Sequence, residues 1–475
     1  MTIPGPLVLI GVPLAMAAVL QLLRRWTALM ALLAMLTALF CGLLVSFVPL
    51  HETIPSDTLR IAMEQPLNIL GRVLVIEPVD RLPLTFIFLT AAMLFVIAWR
   101  LLPHSNFFPT GLAMVALLAG ALLVKQVVYT ALLLELAAVL AIIPLYEPVG
   151  DQGVRHAKGG AQYIAYVTLS LPGLMVTQLL LELFAIFPND TGLLQAATVL
   201  LGLSFAILLG AVPFQAWLST VATDGSPPVV TFLFTVNLGT VWFVLLAFLE
   251  SYSWLGAQAS FGTLFTTIGL LMMVGGGLLA ASQRRLGRLA GYATLVDNGA
   301  MLVALGTRHV SGVALAVMLL LARPLALGLM TLGVDGLRRL GSGDDTVETL
   351  AGAARRAPWR ALALLVGGMA MAGFPFSLNF AAHWGLYRVI SATNIFQAVV
   401  ALAGCAGVMM GVIGVVRVLL APLPKSATQV RSREDPVVLV LIIVLMGVAL
   451  LLGVFPQSVS HLVLQMAEGF TFFTS

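Results

Sequence analysis

The stretch TALLLELAAVLAIIPLY, Thr130–Tyr146, is an apolar run of membrane-spanning length with one carboxylate, Glu135, set inside it. Two further runs repeat the pattern. VMLLLARPLALGLM, Val317–Met330, encloses Arg323, and FPFSLNFAAHWGLYRVI, Phe374–Ile390, encloses His383. A charged side chain at the centre of a bilayer costs roughly 2.5–3.5 kcal/mol on insertion scales, so such residues turn toward a polar interior and mark ion or proton paths. Outward from these runs, the chain is almost continuously apolar from Leu7 to Phe455.

Of the 475 residues 60% are hydrophobic and 9% charged, and the mean hydropathy is +1.06. No soluble domain keeps that much apolar surface from water. At about 20 residues per spanning helix, the expectation is an all-α polytopic membrane protein with about fourteen transmembrane helices. Breaks at polar and Pro/Gly positions place the spans near 5–23, 27–49, 83–101, 109–127, 129–147, 161–187, 193–213, 229–250, 262–282, 289–306, 310–334, 361–390, 395–421 and 437–455. The first is read as a mature helix and not a cleaved signal.

The formal net charge is +4, and the positives cluster in short loops. They recur at Arg24–Arg25, Arg100, Arg155–Lys158, Arg284–Arg288, Arg338–Arg339, Arg355–Arg360 and Lys425–Arg433. The loop with Glu52, Asp57, Glu64, Glu77 and Asp80 is acidic, and those near Asp190, Glu250 and Asn394 are poor in positive charge. By the positive-inside rule both termini lie outside, and the basic residues serve topology, with no nucleic-acid partner implied. Lys125, Arg308 and Arg388 depart from the alternation, near helix ends where long side chains snorkel. Cys41 and Cys405 lie in apolar segments, with no CxxC between them.

Two spans carry a proline, Pro213 in LLGAVPFQAWL and Pro375 in MAGFPFSLNF. Proline removes a backbone donor and breaks the helix, which a membrane tolerates only in protein-buried or wet surroundings. Each break falls in the fourth span of a five-span set, which suggests two inverted five-helix repeats; ordinary kinks are the plain alternative. The expected organisation is 1–108 (three helices and an acidic external loop), 109–250 (first repeat), 251–421 (second repeat) and 422–475 (last helix and amphipathic tail).

ASQRRLGRLAGYATLVDNGAMLVAL, Ala281–Leu305, resembles the signature run of the antiporter-like membrane subunits of respiratory complex I. PFQAWL (213–218), SPPVVTFLFT (226–235), MAGFPFSLNF (371–380) and the tail LLLGVFPQSVSHLVLQMA (450–467) are similar to further segments of that family, at matching spacing along nearly the whole chain. The resemblance implies a proton-translocating subunit of a complex I-type quinone oxidoreductase. It holds no cofactor or redox centre of its own, and its partners are other membrane subunits, the bilayer, and quinone only through neighbours. It also implies a prokaryotic inner or photosynthetic membrane. Multisubunit cation/proton antiporters and inorganic-carbon uptake complexes share the family, and a non-pumping spacer is a third reading.

Position by position, the family's fifth-span glutamate falls on Glu135. Its lysines fall on Leu208 and on Leu238 or Gly239, leaving Asn237 as the nearest polar group. Gln215 and Asp297 stand where the family has histidines, His383 where it has a lysine or glutamate, and Gly287 where it has the lysine preceding Arg288. The expected proton path is therefore Glu135, Asn237, Asp297, Arg288, Arg323 and His383. Glu135 is expected to relay through water or to pair with Lys125 or Arg323, and Asp297 with Arg288 to load protons near the inside face. Plainer roles stand beside these: packing for His383, neutralisation of carbonyls or a carboxylate for Arg323, a surface pair for Asp297 and Arg288, and interhelical bonding for Asn237. The LLMMVGGGLLA stretch, 270–280, reads as close helix packing.

Overall fold

The computed structural model describes residues 2–48, 53–54, 60–69, 72–147, 158–252, 259–341, 343–422 and 434–470. Arg155, Lys425, Arg431, Arg433, Glu52 and Asp57 fall outside them. The protein is all-α and polytopic. Among the described residues, twelve helices are long and apolar enough to cross a membrane, and Phe107–Leu123 and Pro358–Met371 are shorter apolar helices. In order the helices are α1 (Gly5–Leu22), α2 (Thr27–Phe47), α3 (Arg81–Leu101), α4 (Phe107–Leu123), α5 (Val127–Leu145), α6 (Lys158–Ile186), α7 (Thr191–Leu208), α8 (Ala216–Asp224), α9 (Pro227–Ser251), α10 (Ala259–Ala281), α11 (Leu286–Gly306), α12 (Val310–Leu340), α13 (Pro358–Met371), α14 (Leu378–Thr393), α15 (Ile395–Leu419), α16 (Pro436–Val454) and α17 (Gln457–Glu468). The expected span 361–390 is two helices, α13 and α14, because the chain leaves helical geometry around Pro375.

The acidic loop carries short strands that two- and three-residue alternation is too brief to announce. β1 (Thr2–Pro4) runs parallel to β3 (Arg60–Ala62), and β2 (Thr53–Ile54) pairs antiparallel with β3. β4 (Leu67–Ile69) pairs antiparallel with β5 (Arg72–Leu74).

The chain divides into two compact units. The first comprises Met1–Glu147, Gly160–Leu209 and Phe232–Phe248. Its core holds a ring cluster in which Phe95 meets Phe107, Phe108 and Phe232 at centroid distances of 5.6, 6.2 and 6.3 Å. Arg81 donates to the carbonyls of Val45 and Ser46 at 3.1 and 2.7 Å, satisfying the C-terminal end of α2 with a cation.

The second unit comprises Pro148–Gly159, Gly210–Thr231 and Leu249–Ser475. Here α10 lies against α11 and α15 along small residues. A Cβ added at Gly277 would stand 2.4 Å from the Gly404 carbonyl oxygen, and one at Gly269 2.6 Å from that of Gly299. Gly269 and Gly277 thus serve backbone-to-backbone approach.

Candidate functional site

In the first unit α5 presents Glu135 at its middle, half-buried. Thr168 of α6 donates its hydroxyl to Glu135 Oε1 at 2.6 Å, and Oε2 is buried without a hydrogen-bond partner among the described residues. Tyr163, five residues before Thr168 on α6, is fully buried. The Asn237 amide donates to the Tyr163 hydroxyl. Asn237 closes a π-helical segment, Leu233–Asn237, inside α9. Such single-turn bulges re-aim side chains and recur at functional sites. Glu135 with Thr168 and Tyr163 with Asn237 are thus two polar pairs in an apolar unit, in which Leu208 and Leu238 are both buried.

Neither expected cation reaches Glu135. Lys125 stands ten residues earlier, roughly 15 Å along a helix at 1.5 Å per residue, and pairs with Glu77 at 2.7 Å and Asp80 at 3.8 Å. Arg323 is committed within the second unit. Its Nε donates to Asp297 Oδ2 at 2.6 Å, and Nη2 to Asn298 Oδ1 at 2.7 Å and Met301 Sδ at 3.1 Å. Arg323, Asp297 and Asn298 are each 0% exposed.

This corrects the pairing of Asp297 with Arg288 near an interface. Arg288 lies in the first turn of α11 and is exposed, whereas Asp297 sits two and a half turns on, at the buried middle of the helix. Nine residues place the two on opposite faces of α11. The Gly287 position is likewise explained by packing. A Cβ there would fall 2.2 Å from the Ala222 carbonyl of α8, and the Gly287 N–H donates to Asp345 Oδ2 at 3.1 Å. A lysine has no room.

His383 of α14 is 1% exposed. Its Nδ1–H donates to the Asn379 carbonyl at 2.9 Å, and Nε2 makes no hydrogen bond of ordinary geometry. Its neighbours are the Tyr387 ring, centroids 6.1 Å apart, and the Cys405 thiol. The chain break before α14 holds the ring in place. Gly373 has φ +70°, and a Cβ on it would stand 3.0 Å from the imidazole, so the left-handed backbone and the close approach both require glycine. Pro375 lies in this break, and Pro213 in the corresponding one between α7 and α8, which opens on Gly210 at φ +65°.

Sequence reasoning passed over Thr168, Tyr163, Asn298 and Asn379. It also missed a buried ion pair at the end of α12, where Arg338 meets Asp345 at 2.9 Å and donates to the Gly225 and Thr223 carbonyls at 3.0 and 3.2 Å. Asn298 beside Asp297 was a visible signal, since two adjacent polar residues in an apolar span need partners. Hydroxyls such as Thr168 give no such sign.

Residues 164–411, just over half the chain, match the family described as NADH:quinone oxidoreductase/Mrp antiporter, transmembrane. The chain belongs to this family. It is 28% identical over 250 residues to NADH-quinone oxidoreductase subunit N of Acidithiobacillus ferrooxidans, covering 50% of each chain. In such alignments the chain spans about half the length of the curated relatives it matches. Two solved structures share its fold across almost all of both chains. One is a chain of the Mrp complex from Dietzia sp. DQ12-45-1b, with TM-score 0.80, 16% identity and coverage of 98% and 97%. The other is a chain of respiratory complex I from Thermus thermophilus with bound NADH, with TM-score 0.76, 18% identity and 99% of each chain covered.

Proposed function

We propose that this family member is a proton-translocating, antiporter-like subunit of a complex I-type quinone oxidoreductase. It resides in a prokaryotic inner membrane and works beside membrane subunits that hold the quinone site. The observation that carries this reading is that each unit sets a titratable side chain inside an apolar helix, half-buried Glu135 in α5 of the first and buried His383 in α14 of the second. Each is held by hydrogen bonds at one atom and unbonded at the other.

In the first unit Thr168 fixes Oε1, so a proton taken by Glu135 is held on Oε2. The Tyr163–Asn237 pair supplies a second polar station in the same unit, a phenol being both donor and acceptor. In the second unit Arg323 stays charged at every working pH. It is committed to Asp297 and Asn298 by hydrogen bonds, which leaves His383 as the candidate proton carrier of this unit. A proton on His383 is attracted by Asp297 and repelled by Arg323, so small changes in the pair's geometry shift where it resides.

The test is reconstitution of the assembly with Glu135→Gln and, separately, His383→Ala. Both variants are expected to lower the protons moved per electron pair. An unchanged stoichiometry in both would leave the spacer reading. The second reading, a cation/proton antiporter subunit, is supported by the fold shared with the Mrp complex chain. It predicts small antiporter subunits among the co-purifying partners in place of quinone-site and iron–sulphur subunits.

A further inference from the structure

The second unit holds a crevice of about 410 Å³ formed by the first turns of α12, the last turns of α14 and the amphipathic α17. That volume is within the range of ligand-binding clefts. Its polar lining residues are Ser311, Arg388 and Ser460. Ser311 opens α12, Arg388 stands near the end of α14, and Ser460 is in the first turns of α17. Leu315 and Met318 lie one and two turns further along α12, up to roughly 10 Å from Ser311, so the lining turns apolar with depth. Arg388 is exposed, and no carboxylate among the described residues pairs with it. It is also one of the few cations that break the charge alternation of the loops.

An unpaired guanidinium at the rim, two hydroxyls beside it and an apolar floor match a molecule with an anionic head and a hydrocarbon tail. We infer that this crevice seats an anionic phospholipid of the surrounding bilayer. The phosphate takes bidentate hydrogen bonds from Arg388, beside the Ser311 and Ser460 hydroxyls, which bond His309 Nδ1 at 3.1 Å and the Gln457 carbonyl at 3.2 Å. One acyl chain lies along Leu315, Met318 and Leu464. An arginine near a helix end and an interfacial amphipathic helix place the site at headgroup depth.

The purified full-length chain, exchanged into mixed phosphatidylglycerol and phosphatidylcholine micelles and examined by native mass spectrometry, tests this. The wild-type chain is expected to retain phosphatidylglycerol over phosphatidylcholine. Arg388→Gln should lower that preference about fivefold, the scale of one surface cation, and Arg388→Lys should keep most of it. Leu315→Trp, which fills the floor, should lose the bound lipid. Equal phosphatidylglycerol retention by the wild type and Arg388→Gln overturns the assignment, as does equal retention of the two lipids by the wild type. Either result assigns the crevice to a partner subunit's helix or to unspecific solvation. Should Leu315→Trp fail to fold, the two Arg388 variants decide alone.

Discussion

Among single residues, the Asp297–Arg323 pair has the largest energetic consequence. Two opposite charges, both without solvent contact, satisfy each other only as long as both remain. Removing one leaves its partner buried and uncompensated, at about 3–5 kcal/mol, whereas replacing both with apolar residues of similar volume is often neutral or stabilising. Asp297→Leu and Arg323→Met alone should each lower the thermal midpoint markedly, and together recover most of the loss. Thermal unfolding of the purified chain distinguishes the cases. Two additive losses would mean that the charges do not compensate each other. The double variant has a second use. With no fixed charge near His383, the pH profile of proton movement should change while the fold stays intact, separating electrostatic tuning from structural support.

At the level of elements, membrane periodicity left little ambiguity. Apart from 361–390, which is two helices, and 310–334, which runs on to Leu340, the expected spans coincide with helices to within about five residues, because length and hydropathy are set by the bilayer and not by the rest of the fold. What hydropathy does not encode is which faces meet. Hence the partners assumed for Glu135 and Asp297 were misplaced, while the glycine seam was legible because only close packing favours that composition. The seam makes a sharp contrast within α10. A Cβ at Gly275 meets nothing within 4 Å, whereas one at Gly277 meets Gly404 backbone at 2.4 Å. Gly275→Ala should therefore stabilise by about 0.5–1 kcal/mol through helix propensity, and Gly277→Ala should destabilise by about 1–3 kcal/mol or more through overpacking. Chemical or thermal unfolding of the two variants checks the sign, and a shared sign would refute the seam. The loop after α12 responds instead to acid. Its Val347 N–H donates to the Arg284 carbonyl at 2.8 Å, and the Asp344 carboxylate accepts from the Thr346 hydroxyl at 2.7 Å and its N–H at 3.2 Å. Those bonds hold the Asp344 carboxyl below the ordinary carboxylate range, and the hydrogen bond from Arg284 does the same for Glu348. A depressed folded-state pKa adds stability above the unfolded value and loses it as pH falls through the folded one. The protection of the 343–350 amides, their exchange relative to the intrinsic rate at each pH, should stay constant from neutral pH down to about pH 5 and fall below about pH 4, near the unfolded carboxylate range.

Across the whole molecule, the question is whether the half-buried acid at 135 belongs to a path that has lost one station or to a frame that has lost its purpose. Leu208 is a buried leucine in the same unit as Glu135, at the position where the family resemblance has a lysine. A lone buried lysine is pushed toward its neutral form by desolvation, and a nearby carboxylate opposes that shift. If the unit keeps the geometry of a proton path, Leu208→Lys will be tolerated because Glu135 is present to meet it. The same lysine beside Glu135→Gln will then destabilise the chain by more than the two changes summed, with a coupling of about 1 kcal/mol or more. In proteoliposomes Leu208→Lys should also gain pH-dependent proton uptake that Glu135→Gln removes. Strict additivity, with no uptake in any variant, would place the carboxylate and residue 208 in separate surroundings and leave Glu135 as a structural acceptor for the hydroxyl of Thr168.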